Sequence, residues 1–302
     1  MIDEIIKCRK DPIYFIENYC KILHPKYGII TPKLYPKQKE LINLIINEPF
    51  IIVLKSRQVG VSTIYALIFA WMLIFIPNYR IGVISRDKFE AGIFAERVER
   101  AILSVPQEFW IDFKENNKLS KTLANGSEII ISAPVKHALR GETLNYVFLD
   151  EVLAMNFIDY IYSSVFYTIQ HNFINLSSAQ KRTNIPCGLS LISTGALIDY
   201  NSPQSCRGAI WFKQKWNEAL TNTGEIRFKT LKIHWSETGF FDKEWYKTQC
   251  ENLNNDEILI RTELECEFIE INLKDSASNI LSEIKQLKFP NLRDFNHSKK
   301  YI

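Results

Sequence analysis

The chain has 302 residues, 46% apolar and 24% charged, a balance that suits one large or two small soluble domains with a sizeable core. A formal net charge of +3 does not by itself mark a nucleic-acid binder. The six cysteines (Cys8, Cys20, Cys187, Cys206, Cys250 and Cys266) are scattered without a C-x-x-C pair, which argues against a zinc site or a disulfide framework and predicts reduced thiols, while the charged start MIDEIIKCRKDP lacks the apolar core of a signal peptide.

Residues 1–30 predict one or two short helices with Tyr14, Phe15 and Tyr19 as packing residues. After the breaker Thr31–Pro36, the pattern from Lys37 to Asn47 predicts an amphipathic helix carrying Gln38, Leu41, Leu44 and Ile45 at helical spacing. An amide at the head of a helix just before a phosphate loop can both donate to and accept from the edge of an adenine. Phe50–Leu54 has the length and β-branched character of a buried strand. A polar loop follows, Lys55-Ser56-Arg57-Gln58-Val59-Gly60-Val61, and Ser62-Thr63 lead into a long apolar helix. Ile64–Ile76 is shorter than the roughly 20 residues a bilayer requires, so this helix is predicted to be buried on all sides.

Strand, glycine-containing loop and helix N-terminus together make a cradle for an anion, because backbone N–H groups and the positive end of the helix dipole converge there. Set against G-x-x-x-x-G-K-[ST], the second glycine falls on Gly60 and the hydroxyl on Ser62. Val61 stands where the lysine is usual and Lys55 where the first glycine is usual. A cation would therefore reach the phosphates from the front of the loop.

Downstream, Arg80–Ser85 predicts a strand. Arg86–Leu103 predicts a helix with Phe89, Ile93, Phe94, Val98 and Ile102 on its core side, and Lys88, Arg97 and Arg100 on a solvated face. Asn125-Gly126 predicts a hairpin turn between 119 and 134, and Val135–Gly141 is a basic loop. Tyr146–Leu149 reads as a buried parallel strand ending in Asp150 and Glu151. At that edge of an open α/β sheet, Asp150 is placed to hold the Mg2+ of a nucleotide through water, and Glu151 to activate a water as general base. Leu189–Ser193 is a further buried strand ending in Ser193-Thr194-Gly195-Ala196. An aromatic-rich helix over Cys206–Ala219, a strand over Arg227–Trp235 and two helices within 242–268, the second from Ile258 to Phe268, complete the pattern. Beyond about 271 the composition turns polar and reads as a linker or tail.

Over about residues 30–270 these segments together resemble the ATPase domain of the large terminase subunit, the DNA-packaging motor of tailed bacteriophages. KSRQVGVST is similar to that family's deviant Walker A loop, YVFLDE to its Walker B strand with adjoining glutamate, and STGA to its coupling motif. Gln38 resembles its adenine-binding glutamine. Arg140-Gly141 is similar to the place where some members carry an arginine finger acting on a neighbouring subunit. The stretch KIHWSE…FFDKEWY…LIRTELECEF looks like the end of the family's ATPase region.

The resemblance implies an α/β P-loop NTPase of RecA/ASCE-like type, with a mainly parallel central sheet flanked by helices. Residues 1–30 would form a helical segment, 31–270 the ATPase domain and 271–302 a linker or tail. It implies ATP held by Gln38, Lys55, Ser56, Gln58, Gly60, Val61, Ser62 and Thr63, and Mg2+ held by Ser62 and Asp150. Glu151, Arg57 and, in trans, Arg140 would serve catalysis, with Ser193, Thr194 and Gly195 coupling it to movement. The implied partners are double-stranded DNA, a homo-oligomeric ring on a portal protein and the small terminase subunit, in the host cytoplasm at the assembling procapsid and away from membranes. Complete large terminases continue into an RNase H-like nuclease domain. Asp275, Glu283 and Asp294 are too few and too loosely placed for its metal cluster, so a motor domain without nuclease activity is expected. Two other readings remain open on the residues: a helicase-like DNA-dependent ATPase, and a nucleotide-binding scaffold without turnover, suggested by Val61.

Overall fold

In the computed structural model, residues 2–24, 27–169 and 185–271 are described. Helices α1 (Ile2–Lys10) and α2 (Pro12–Tyr19) come first, and Asp11 caps α2 by accepting from the Tyr14 N–H at 2.9 Å, with Pro12 in the first turn. A small antiparallel hairpin that the sequence pattern did not suggest follows, β1 (Ile22–His24) with β2 (Gly28–Ile30). Then come α3 (Pro36–Asn47), β3 (Phe50–Lys55), α4 (Val61–Phe75), β4 (Arg80–Ile84) and α5 (Lys88–Leu103). β5 (Phe113–Asn116), β6 (Ser120–Leu123), β7 (Glu128–Ser132) and β8 (Tyr146–Leu149) lead to a helix α6 over 158–169. After β9 (Gly188–Ser193) and β10 (Ala196–Asp199) come α7 (Arg207–Thr221), β11 (Lys229–Ile233), α8 (Lys243–Asn252), α9 (Glu257–Glu263) and β12 (Phe268–Ile271).

The main sheet has eight strands in the order β11-β3-β9-β8-β4-β7-β6-β5. From β11 to β7 all neighbours run parallel, and only the β7–β6 and β6–β5 pairings are antiparallel. This is the expected α/β fold with a mainly parallel central sheet. The Asn125-Gly126 turn does join β6 to β7, with Gly126 in the left-handed region at φ 81°. Alternation along the strands divides the core into two layers. Ile51 and Val53 of β3 pack on the side of α2 to α5, whereas Ile52 and Leu54 face α6 and α7. α4 is buried along nearly its whole length, which accounts for its unbroken apolar sequence. Inside, the hydroxyls of Tyr65 and Tyr146 meet Ser190 Oγ at 2.7 and 2.6 Å, so the buried polar groups of α4, β8 and β9 satisfy one another.

Two expectations are corrected. Phe89 does not join the core face of α5; it is 75% exposed, and Ala91, Phe94, Ala95, Val98, Ala101 and Ile102 form that face. Phe89 stands nine positions before Val98, about half a turn away around the helix at 3.6 residues per turn, so it points away from the face that Phe94, Val98 and Ile102 present to the core. The last helix ends at Glu263 rather than running to Phe268, because Cys266 turns into the left-handed region at φ 57° and the chain continues as β12, parallel to β10. Asp275, Glu283 and Asp294 of the expected tail lie outside the described residues. No helix among the described residues is long and apolar enough to cross a membrane.

Candidate active site

Because β3, β9, β8 and β4 are parallel and in register, their C-terminal ends deliver Lys55, Ser193, Asp150 and Ser85 to one edge of the sheet. β9 lies between the phosphate-loop strand and the strand that ends in Asp150. A cleft of about 570 Å³ opens there, and its walls include Lys55, Arg57, Gln58, Ser62, Asp150, Glu151, Thr194 and Gly195.

At its floor, Lys55 Nζ lies 2.9 Å from Glu151 Oε1. Burial draws the Lys55 ammonium down, but the charges of Glu151 and Asp150 outweigh it and leave the lysine above its ordinary value. The Ser62 hydroxyl donates to Asp150 Oδ2 at 3.0 Å. Burial pushes Asp150 up to about 6, the neighbouring Glu151 charge adds to this, and Lys55 and Ser62 oppose it. Glu151 itself sits in the left-handed region at φ 54°, which costs a residue of its kind roughly 1–2 kcal/mol. Gln58 across the cleft has φ 64°.

Gly60 begins α4 with φ 80° and supplies no side-chain cap, so the first N–H groups of the helix at Val61, Ser62 and Thr63 are oriented to serve an anion. Val61 is buried, while Ser62 and Thr63 are half-buried. A side chain at residue 60 would come within 2.9 Å of Gln38 Nε2, so Gln38 is brought against the loop from α3. Ser56, in contrast, is turned away from the cleft. It is fully buried, and its hydroxyl donates to the Leu264 carbonyl and accepts from the Trp235 N–H.

The loop is also tied to α9. The Arg57 N–H donates to the Glu263 carbonyl at 2.7 Å, and the Arg57 guanidinium pairs with the Glu263 carboxylate at 3.1 Å. Burial raises Glu263 above its ordinary value despite that partner. Ser193 accepts from the Leu153 N–H at 3.3 Å, and the Thr194 hydroxyl donates to the Gly195 carbonyl. The Gly195 N–H donates to Thr262 and the Ala196 N–H to Glu267, which joins the STGA turn to α9 and β12.

Arg140 does not line this cleft. It is exposed on the loop before β8, beside a separate cavity of about 600 Å³ walled by Lys136, His137, Tyr160 and Tyr167. Sequence reasoning missed Arg86, Arg97, Thr262 and Glu263, which also border the main cleft. The interleaved acids around Arg97 gave it the pattern of a solvated face. Nothing local in LIRTELECEF marks the return of α9 to the phosphate loop.

Comparison with known proteins agrees with this architecture. Residues 52–171 match the family described as terminase large subunit, T4likevirus-type, N-terminal. The ATPase domain of the Thermus phage P74-26 large terminase superposes with a TM-score of 0.54 at 19% identity, over 78% of this chain and 100% of that one. The HK97 bacteriophage large terminase gives 0.56 at 16% identity, over 85% of this chain and 54% of that one. The large terminase of another thermophilic bacteriophage gives 0.52 at 12% identity, over 77% of this chain and 53% of that one. The chain thus spans about half the length of these last two proteins. The resemblance read from the sequence is borne out: residues 52–171, which hold both the phosphate loop and YVFLDE, match the N-terminal terminase large-subunit family, and the fold is shared with large-terminase ATPase domains.

Proposed function

We propose that this chain is the ATP-hydrolysing motor of a phage large terminase, coupling hydrolysis to movement of double-stranded DNA into a procapsid. The observation that carries the reading is the convergence of Lys55, Ser62, Asp150, Glu151 and the Thr194-Gly195 turn on a single cleft at the C-terminal edge of the parallel strands. One of the structurally similar proteins, a large terminase from a thermophilic bacteriophage, has been crystallised with ATP-gamma-S and with ADP, which supports nucleotide as the ligand.

The triphosphate would lie on the N-terminus of α4, with the amides from Gly60 to Thr63 around it and Lys55 offsetting its β/γ charge. The Ser62 hydroxyl and Asp150 carboxylate stand 3.0 Å apart, an oxygen pair suited to Mg2+, which is commonly held by one or two protein oxygens plus phosphates. Bound there, the ion would neutralise charge on the phosphates. Glu151 would orient a water and accept its proton. For that it must leave Lys55, and a γ-phosphate competing for the ammonium gives it the means. Arg57 could turn from Glu263 to the same phosphate, and Arg140 would act on the site of a neighbouring copy. Gly195, tied to α9 and β12, would transmit the loss of the γ-phosphate. An inert scaffold is the weaker reading, since the cation missing at Val61 is supplied by Lys55 at the cleft floor.

The test is Mg2+-dependent ATP turnover with and without double-stranded DNA, for the wild type and Glu151→Gln. DNA-stimulated hydrolysis that Glu151→Gln abolishes while ATP binding persists supports the motor. A wild type that binds ATP and never turns it over, with or without DNA, would leave only a scaffold.

A further inference from the structure

A turn after β11 presents an exposed phenylalanine beside the phosphate loop, and several contacts fix it there. Phe240 is 61% exposed. The buried Thr238 anchors its turn: the Thr238 hydroxyl donates to the Trp235 carbonyl at 2.9 Å and accepts from the N–H groups of Phe240 and Phe241. Gly239 supplies the left-handed residue the turn needs, at φ 74°. Phe241 turns inward and stacks on Trp245 with ring centres 3.8 Å apart, so its neighbour Phe240 is left facing out. The turn is fixed to the phosphate loop through the Trp235 N–H on Ser56 and to the head of α3 through the Lys37–Glu237 pair at 3.7 Å.

Two links place this ring next to the phosphate loop. Phe240 meets Tyr35 edge to face, centres 5.3 Å apart, and the Tyr35 hydroxyl donates to the Val59 carbonyl of the phosphate loop at 2.6 Å. One turn of α3 further on, Gln38 lies against Gly60 with only 8% of the residue exposed, and its side-chain amide, not engaged by a hydrogen bond among the described residues, keeps contact with solvent. An amide open to a ligand and an exposed aromatic face, both at the same end of a phosphate loop, are the edge and the shelf of a site for a heterocyclic base.

We propose that Phe240 is the platform on which the purine of the bound nucleotide stacks. Phe240 sets the affinity for purine nucleotides as a class, because every base offers a π-face, and Gln38 alone distinguishes adenine from guanine by its edge. The assignment rests on the nucleotide-binding reading of the cleft.

Titration calorimetry of the full chain with Mg2+ and ATP, GTP or inorganic tripolyphosphate tests it. Phe240→Ala is expected to weaken ATP and GTP alike, by about tenfold or more, and to leave tripolyphosphate unchanged. Phe240→Trp should restore both nucleotides, and Gln38→Leu should alter the ATP-to-GTP ratio where Phe240→Ala does not. Wild-type ATP affinity in Phe240→Ala, or an equal loss for tripolyphosphate, overturns the platform. A wild type that binds tripolyphosphate as tightly as ATP also overturns it while leaving the phosphate cradle intact, and a wild type that binds none of the three removes both readings.

Discussion

Lys55 and Glu151, 96 residues apart in the chain, form an ion pair of 2.9 Å at the floor of the cleft. The lysine is nearly fully buried and the glutamate is not, so the pair holds the carboxylate in place without removing it from water. Lys55→Ala should lower ATP turnover by about 10²–10³-fold, the usual cost of deleting one charge-stabilising donor from such a site. Val61→Ala trims a buried methyl pair at the position where a lysine is usual, and should leave turnover near wild type. Steady-state kinetics on both variants decide it. Equal losses would mean that the loop-front cation is not the functional one.

Arg140 lies outside the cleft that contains Lys55 and Glu151. A finger acting between copies should therefore show complementation. Arg140→Ala alone is expected to lose about 10³–10⁵-fold of assembled turnover. Mixed with inactive Glu151→Gln chains it should regain activity, because those chains supply Arg140 to sites that retain Glu151. The absence of rescue in a titration of one variant into the other would end the trans assignment.

Gly195 has no room for a side chain. An added Cβ would sit 2.1 Å from the Glu267 carbonyl oxygen and 2.8 Å from that of Thr262, both backbone atoms. Gly195→Ala should cost about 2–3 kcal/mol through overpacking, and lower the Tm by several degrees. Gly92→Ala in α5 meets nothing within 4 Å and should instead raise stability by about 0.5–1 kcal/mol. Thermal unfolding of the two variants side by side separates the close approach from a general glycine effect.

Glu99 pairs with the buried Lys121 at 2.7 Å and accepts from the Asn116 amide. Burial raises the carboxyl, but the hydrogen bonds from Lys121 and Asn116 and the lysine charge prevail, so its folded value lies below the ordinary 4.5. A carboxyl lowered on folding contributes stability above its unfolded value and loses it as pH falls through the lower folded one. Glu99→Gln should destabilise by about 2 kcal/mol at neutral pH. The gap in Tm between variant and wild type should then narrow as pH drops from below 4.5 through the depressed value. A gap independent of pH would place the effect in packing rather than charge.

The strands and the phosphate loop were readable because each is a short apolar run ending in polar residues, and those signals are local. FIIVLK and YVFLDE sit where their composition placed them. The strand order was not readable, since nothing within GLSLIS states that it inserts between the other two. Ser56 belongs to the loop by sequence, yet its hydroxyl is claimed by Leu264 and Trp235, about 180 to 210 residues away. Phe89 does not share the stripe of Phe94, Val98 and Ile102, because it lies about half a turn from Val98 around the helix. Long-range contacts decided the strand order and Ser56, whereas the helical phase itself decided Phe89.

Gln58 and Glu151 both hold left-handed backbone without being glycine or asparagine. Glycine at either position would relax the chain by an amount comparable to a good hydrogen bond. At Glu151 that relief is opposed, because its carboxylate is the partner of the nearly buried Lys55 and its loss would leave the ammonium unpaired. No such pair is lost at the exposed Gln58, so a library of this chain ranked by heat resistance should enrich Gln58→Gly among its survivors, and those survivors should turn ATP over poorly: a protein improved as an object and lost as an engine.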